Sequence, residues 1–160
     1  MIKHPIKPIF DKNSKMLILG SFPSVKSREQ NFYYGHPQNR FWKVVSAVFD
    51  CEEPKSIEEK REFLLSLRIA LWDVIASCDI DGSSDSSIKN VVPNNLRVIL
   101  DNADIKKIFV NGKTAENYYN RYIRNEIKRE AVVLPSTSPA NAAFSVECLI
   151  EEWRIIKGTK

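Results

Sequence analysis

Four short, mainly apolar runs alternate with stretches of helical periodicity, and this alternation constrains the fold of the 160-residue chain more than any other feature. The runs are Met16–Leu19 ending in Gly20, Ala70–Ile75, Ile105–Val110 closed by Asn111-Gly112, and Ala131–Leu134 closed by Pro135-Ser136. Short runs without polar alternation suit strands buried on both faces. Between them, Phe41, Val44, Val45, Val48 and Phe49 recur at helical spacing. Ser56 followed by Glu59 reads as a capping box ahead of Phe63, Leu64 and Leu67. Asn94 reads as the cap of a helix carrying Leu96, Ile99 and Leu100; Lys113–Ile127 reads as a helix with Tyr119, Tyr122 and Ile123 inward. Ser145–Ile156 reads as a last helix stopped by Gly158, with Trp153 in the core. The alternation predicts one α/β domain over residues 1–160. Its expected form is a three-layer α/β/α sandwich around a central four-stranded, mainly parallel sheet. Asp79–Asn90 reads as a solvated loop, and Asp73 as structural.

No apolar run approaches the ~20 residues of a membrane span, and no apolar signal region follows the first charges. A soluble, cytoplasmic monomer is expected, nucleoid-associated in a prokaryote. Cys51, Cys78 and Cys148 have neither metal-ligand nor disulfide spacing, so they read as buried small hydrophobes, with no metal and no cofactor. Charge is uneven: residues 1–43 carry a net +6 and the remainder a net −2. A polyanion would be drawn to the basic part, although a solubilising surface would look the same.

In a parallel sheet, ligands bind beyond the carboxyl ends of the strands, which selects the loops after Gly20, Ile75, Val110 and Leu134. Gly20-Ser21-Phe22-Pro23-Ser24 is a fixed turn whose backbone N–H groups can face a ligand. It is neither a Walker loop nor a dinucleotide fingerprint. Asn31–Trp42 concentrates aromatic, amide, imidazole and guanidinium groups. Phe41 and Trp42 open the helical stripe and belong to the core. Tyr33, Tyr34, His36, Gln38 and Asn39 precede it, and that mixture suits stacking on a flat heterocycle and hydrogen bonding to its edge. Asn39 also reads as a helix cap. Leu134–Asn141 is stiffened by Pro135 and Pro139, and such a loop can grip phosphates or push into a duplex.

In the arrangement of these three loops the chain resembles the uracil-DNA glycosylase superfamily, most of all its hypoxanthine-DNA glycosylase branch and the mismatch-specific uracil enzymes. Gly20–Ser24 is similar to the superfamily's first motif. His36-Pro37-Gln38-Asn39-Arg40-Phe41-Trp42 is similar to the His-Pro-x-Asn-Arg-Phe-Trp segment of the mismatch-specific type, and Leu134–Asn141 takes the place of the DNA-clamping second motif. Phe22 stands where most members carry a water-positioning Asp or Asn, and Leu134 where they carry His or Asn. The resemblance implies that the catalytic amide has moved to Asn39.

It further implies a DNA partner and monofunctional hydrolysis of the N-glycosidic bond of a deaminated base, hypoxanthine first, in base excision repair. Asn39 would orient water through its amide oxygen or hydrogen-bond the base. Phe22, Tyr34, His36 and Gln38 would form the base pocket, with His36 either donating to the leaving purine or shaping a turn. Ser21, Ser24, Ser136 and Ser138 would hold phosphates; Pro139, Ala140 and Asn141 would fill the gap left by the base. No lysine lies within these motifs, so no lyase step is expected. The alternatives are a uracil or ethenocytosine glycosylase and a catalytically silent nucleic-acid binder.

Overall fold

A computed structural model describes residues 1–159. The strands are β1 (Ile2–Lys3), β2 (Met16–Gly20), β3 (Ile69–Asp73), β4 (Ile75–Asp79), β5 (Lys89–Pro93), β6 (Lys107–Asn111) and β7 (Val132–Leu134). The helices are α1 (Val25–Gln30), α2 (Phe41–Val48), α3 (Ile57–Ser66), α4 (Arg97–Leu100), α5 (Lys113–Tyr122), α6 (Arg124–Ile127) and α7 (Val146–Trp153). None of them is long and apolar enough to cross a membrane.

The expected sheet is present. Its order is β3-β2-β6-β7 and every pairing is parallel. All five residues of β2 and of β3 are buried, as two-sided coverage requires of alternating side chains. The register brings four strand ends into one row. Gly20 lies opposite Asp73, Leu19 opposite Val110, and Asn111 opposite Leu134. Asp73, Gly20, Asn111 and Leu134 thus stand side by side at the carboxyl edge.

A second, antiparallel sheet of order β1-β4-β5 was not foreseen. The expected strand Ala70–Ile75 in fact ends at Asp73. The chain bends at Val74, whose N–H donates to Gly20 O at 2.8 Å, and resumes as β4 in the other sheet. Both ends of the expected Asp79–Asn90 loop are therefore strand, and only Asp81–Ser86 is a fully exposed stretch. The pattern was hard to read because β5, Lys-Asn-Val-Val-Pro, is half-exposed and meets β4 through irregular register.

Local chemistry accounts for the helix ends. Ser56 Oγ accepts from Glu59 N at 3.0 Å, while Glu59 reaches back to Lys55 N rather than closing the box on Ser56. Ser145 Oγ caps α7 through Cys148 N. That helix stops at Trp153 and continues as a 3-10 turn over Arg154–Gly158. The Lys113–Ile127 helix is two pieces joined at Ile123. Asn94 is no cap, since its amide donates to Asp73 O at 2.8 Å. Of the three cysteines only Cys78 is buried; Cys51 and Cys148 are exposed, because each lies on the outer side of a helix or its end.

One core runs under both sheets, with Phe41, Tyr119, Leu149 and Trp153 fully buried in it. Gly112, between β6 and α5, has φ +95°, and a Cβ there would stand 2.9 Å from Ser136 Cβ. Both the left-handed backbone and the close approach demand glycine. Gly112→Ala is expected to lower unfolding free energy by more than ~1 kcal/mol, measured by urea denaturation.

Candidate active site

The row of strand ends floors a cavity of about 480 Å³. The loop after β2 forms one wall through Ser21, Phe22, Pro23 and Ser24, and the loop after β7 forms another through Ser136–Ala140. Tyr34, His36 and Asn39 close a third side, and Ser83–Ser86 stand at the rim. That serine-rich segment is fastened there: Val25 N donates to Ser83 Oγ at 2.9 Å, and Arg28 Nη2 to Gly82 O at 2.6 Å.

A hydrogen-bonded chain crosses the floor. Asn111 Nδ2 donates to the Tyr34 hydroxyl at 3.3 Å and to Thr137 Oγ1 at 3.0 Å, while Thr137 N donates to Asn111 Oδ1 at 3.0 Å. Thr137 Oγ1 in turn donates to Asn39 Oδ1 at 2.9 Å. Asn39 Oδ1 also accepts from Phe41 N at 2.9 Å, as a cap of α2 does. Both lone pairs of that oxygen are therefore engaged within the protein. What Asn39 has left to offer the cavity is its NH₂ group.

The other expected pocket residues divide. Phe22, Tyr34 and His36 line the cavity. Tyr34 has φ +52°, and its ring stacks on Phe41 at 4.1 Å, so one face is already covered. Burial, and after it the Asp73 charge, pushes the Tyr34 phenol well above its ordinary range, against the opposing pull of the Asn111 hydrogen bond. Its hydroxyl is thus a protonated donor at neutral pH. His36 Nδ1 accepts from Gln38 N at 3.1 Å, which shapes the turn and leaves the ring proton on Nε2. Gln38 itself is exposed and does not line the cavity, because that turn carries it outward. Tyr33, in the expected segment, is core: it is 2% exposed and its hydroxyl donates to Lys7 O.

Among the residues expected at DNA, Ser21, Ser24, Ser136, Ser138, Pro139 and Ala140 all border the cavity. Ser24 caps α1, accepting from Ser27 N at 3.2 Å. Ser136 and Ser138 accept from the N–H groups of Ser138 and Ala140, each at 3.1 Å. Asn141 lies off the cavity and donates to Ser136 O at 3.0 Å, bracing the loop from behind.

Two residues have larger roles than expected: Arg40, and Asp73, which reads in the sequence as structural but lines the cavity. The Arg40 guanidinium donates to four backbone carbonyls of the β7 loop, those of Thr137, Ser138 (2.9 Å), Asn141 (3.1 Å) and Phe144. Its place beside Asn39 was visible in sequence, but it counted there only as charge. Asp73 stands on the cavity floor, 4% exposed, with Oδ2 2.7 Å from His4 Nε2. A charged residue inside an otherwise apolar buried run is the signal that could have found it. No sequence signal joins it to His4.

Arg40 is the part of this site most open to a structural test. Arg40→Ala removes the side-chain donor from all four carbonyls. Thr137 O, Ser138 O and Asn141 O keep backbone N–H partners, whereas Phe144 O loses its donor, at a cost of about 1–3 kcal/mol where water cannot reach it. The expected result is faster amide hydrogen exchange across residues 136–144, with β2 and β6 still protected. Unchanged exchange in that loop would show that it holds its shape alone.

The sequence matches the family model of the uracil DNA glycosylase superfamily over residues 8–156. It is 35% identical over 147 residues to a protein of Methanosarcina acetivorans named hypoxanthine DNA glycosylase, covering 91% of this chain and 92% of that one. A protein of the same name from Methanosarcina barkeri is 34% identical over 144 residues, covering 88% and 89%. A solution NMR structure from Methanosarcina acetivorans, provisionally named a uracil DNA glycosylase, superposes with a TM-score of 0.80 at 32% identity, over 98% of this chain and 99% of that one. With the parallel sheet and its cavity, these likenesses establish that the chain belongs to the uracil DNA glycosylase superfamily.

Proposed function

We propose that this protein is a monofunctional DNA glycosylase that releases a deaminated base, hypoxanthine first, from a flipped nucleotide held in the cavity. The carrying observation is that Asn39 faces the cavity with its NH₂ group while its oxygen is engaged by Phe41 N and Thr137 Oγ1. Cleaving an N-glycosidic bond pushes electron density into the departing base, and a pre-oriented donor aimed at that charge lowers the barrier. Of the two roles open to Asn39, donation to the base fits this arrangement better than orientation of water through Oδ1. The names of the Methanosarcina relatives favour hypoxanthine.

The walls suit the remaining tasks. Phe22 and the free side of Tyr34 offer apolar and aromatic surface to a flat ring. Ser136, Ser138 and nearby backbone N–H groups are the candidates for phosphate contact, and exposed Pro139 and Ala140 for filling the duplex. Their loop is already rigid, so little ordering cost falls on binding. Among the described residues no lysine lines the cavity, in keeping with hydrolysis and no strand-nicking step.

The test uses duplexes carrying a single deoxyinosine or uracil, with abasic product revealed by alkali. The wild type is expected to act on deoxyinosine; no product from either duplex would leave a silent binder. Asn39→Ala should lower single-turnover excision by about 10²–10³-fold, the usual cost of one such donor. Asn39→Asp keeps the acceptor for Phe41 N and Thr137 and replaces only the NH₂ group, so it should fall equally far. An Asn39→Asp protein with near-normal activity would return the role to the oxygen.

A further inference from the structure

A second, smaller pocket of about 280 Å³ lies where the chain passes from one sheet to the other. Lys3, His4 and Ile6 of the N-terminal segment line it, together with Trp72, Ser77 and Asn94 of the body. Trp72 is 8% exposed, and its Nε1–H has no hydrogen-bond partner among the described residues. The other two indoles are bonded, Trp42 Nε1 to Tyr33 O at 3.3 Å and Trp153 Nε1 to Pro135 O at 2.9 Å. Buried donors are normally partnered, so an unpartnered one in the wall of a pocket marks what an occupant is to supply. Lys3 is exposed and makes no ion pair among the described residues. No Asp or Glu lines the pocket. His4 has both ring nitrogens engaged, Nδ1 accepting from Ile6 N at 3.2 Å and Nε2 standing 2.7 Å from Asp73 Oδ2. Asn94 gives its NH₂ group to Asp73 O at 2.8 Å and keeps its amide oxygen. The groups left to meet a ligand are thus mainly donors, with one cation among them.

We propose that this pocket is a second binding site, for a small organic oxyanion of the phosphate monoester class. The Trp72 N–H and the Ser77 hydroxyl donate to the anionic head, and Lys3 supplies the opposite charge. The space is several times the roughly 30 Å³ that a water molecule occupies in the liquid. The head therefore leaves room for a compact apolar body against Ile6 and the Trp72 ring. Lys3 belongs to the N-terminal segment, whereas Trp72 and Ser77 belong to the body, so the occupant joins the two. That same segment carries His4 to Asp73, whose other oxygen lies over Gly20 on the cavity floor. Anion binding thus steadies the N-terminal segment and, through His4, the floor of the larger cavity.

The three indole N–H groups give separate signals in a nitrogen–proton correlation spectrum of the full chain. Trp72→Phe identifies its own signal by removing it. Titration with inorganic phosphate or phenyl phosphate, at ionic strength held constant with chloride, should move the Trp72 signal saturably and leave those of Trp42 and Trp153 in place. Phenyl phosphate should bind at least about tenfold more tightly, since its ring adds apolar burial. Amide exchange at His4 and Ile9, which donate to Ala76 O and Leu71 O, should slow on binding. Lys3→Met changes only the surface, and should weaken phenyl phosphate binding about threefold. Trp72→Phe, followed through the ligand's effect on melting temperature, should weaken it by about tenfold or more. A Trp72 signal unmoved by either anion would overturn the inference. So would equal movement of all three signals, which marks a bulk ionic effect, or full affinity in both variants. A DNA duplex that moves the Trp72 signal where neither small anion does would make the pocket part of the DNA track, and the small-ligand assignment would fall. None of these readouts depends on base excision.

Discussion

One guanidinium gives the site its shape. The segment from Thr137 to Phe144 carries four carbonyls that turn toward Arg40; those of Ser138 and Asn141 also accept turn bonds from Asn141 N and Phe144 N, and none has a strand or helix partner. Arg40 supplies the donors from a single planar fork, and its own N–H donates to Thr137 O at 3.1 Å. Trp153 adds a sixth bond from the core side, Nε1 to Pro135 O at 2.9 Å. With the loop fixed, Thr137 is fixed; with Thr137 fixed, Asn39 and Asn111 have their partners. The orientation of the Asn39 amide is therefore a downstream result of the Arg40 contacts.

The same accounting explains the polarity of the cavity. Polar groups near its floor are bonded to one another until few valences remain: the Asn39 NH₂, the Tyr34 hydroxyl proton and Asp73 Oδ1. Buried polar atoms are normally satisfied, so residual ones beside an open space mark what a ligand is to complete. Phe22 is consistent with this division. An apolar residue on the first loop forces the polar work onto the floor and the α2 side of the cavity.

Sequence periodicity reached the parallel sheet because β2, β3 and β6 are buried on both faces and so read as apolar runs. It missed the antiparallel sheet because β1 is two residues long and β5 has an exposed, polar start. The cavity residues Phe22, Tyr34, His36 and Asn39 were legible because aromatic and amide groups without a core role stood out just before an apolar stripe. Gln38 shared that signal but faces out, since composition carries no direction through a turn. Thr137 hid among serines of similar chemistry, and only its full burial separates it from them. Asp73 was visible as a charge in a buried strand, yet nothing local names its partner.

That partner lies 69 residues away in the chain, and two other bonds that shape the site span greater distances: 98 for Asn39 with Thr137 and 104 for Arg40 with Phe144. None of them forms within a hairpin or a single βα unit. Each requires that the chain ends and its middle have already docked, the kind of non-local closure that costs the most entropy during folding. The cavity is thus a property of the whole folded chain. A half-folded intermediate with β2, β6 and α5 in place would have a sheet and a core, but no oriented amide and no paired carboxylate. Competence for chemistry and completion of folding arrive together, so a partly folded molecule has no such site to offer a base.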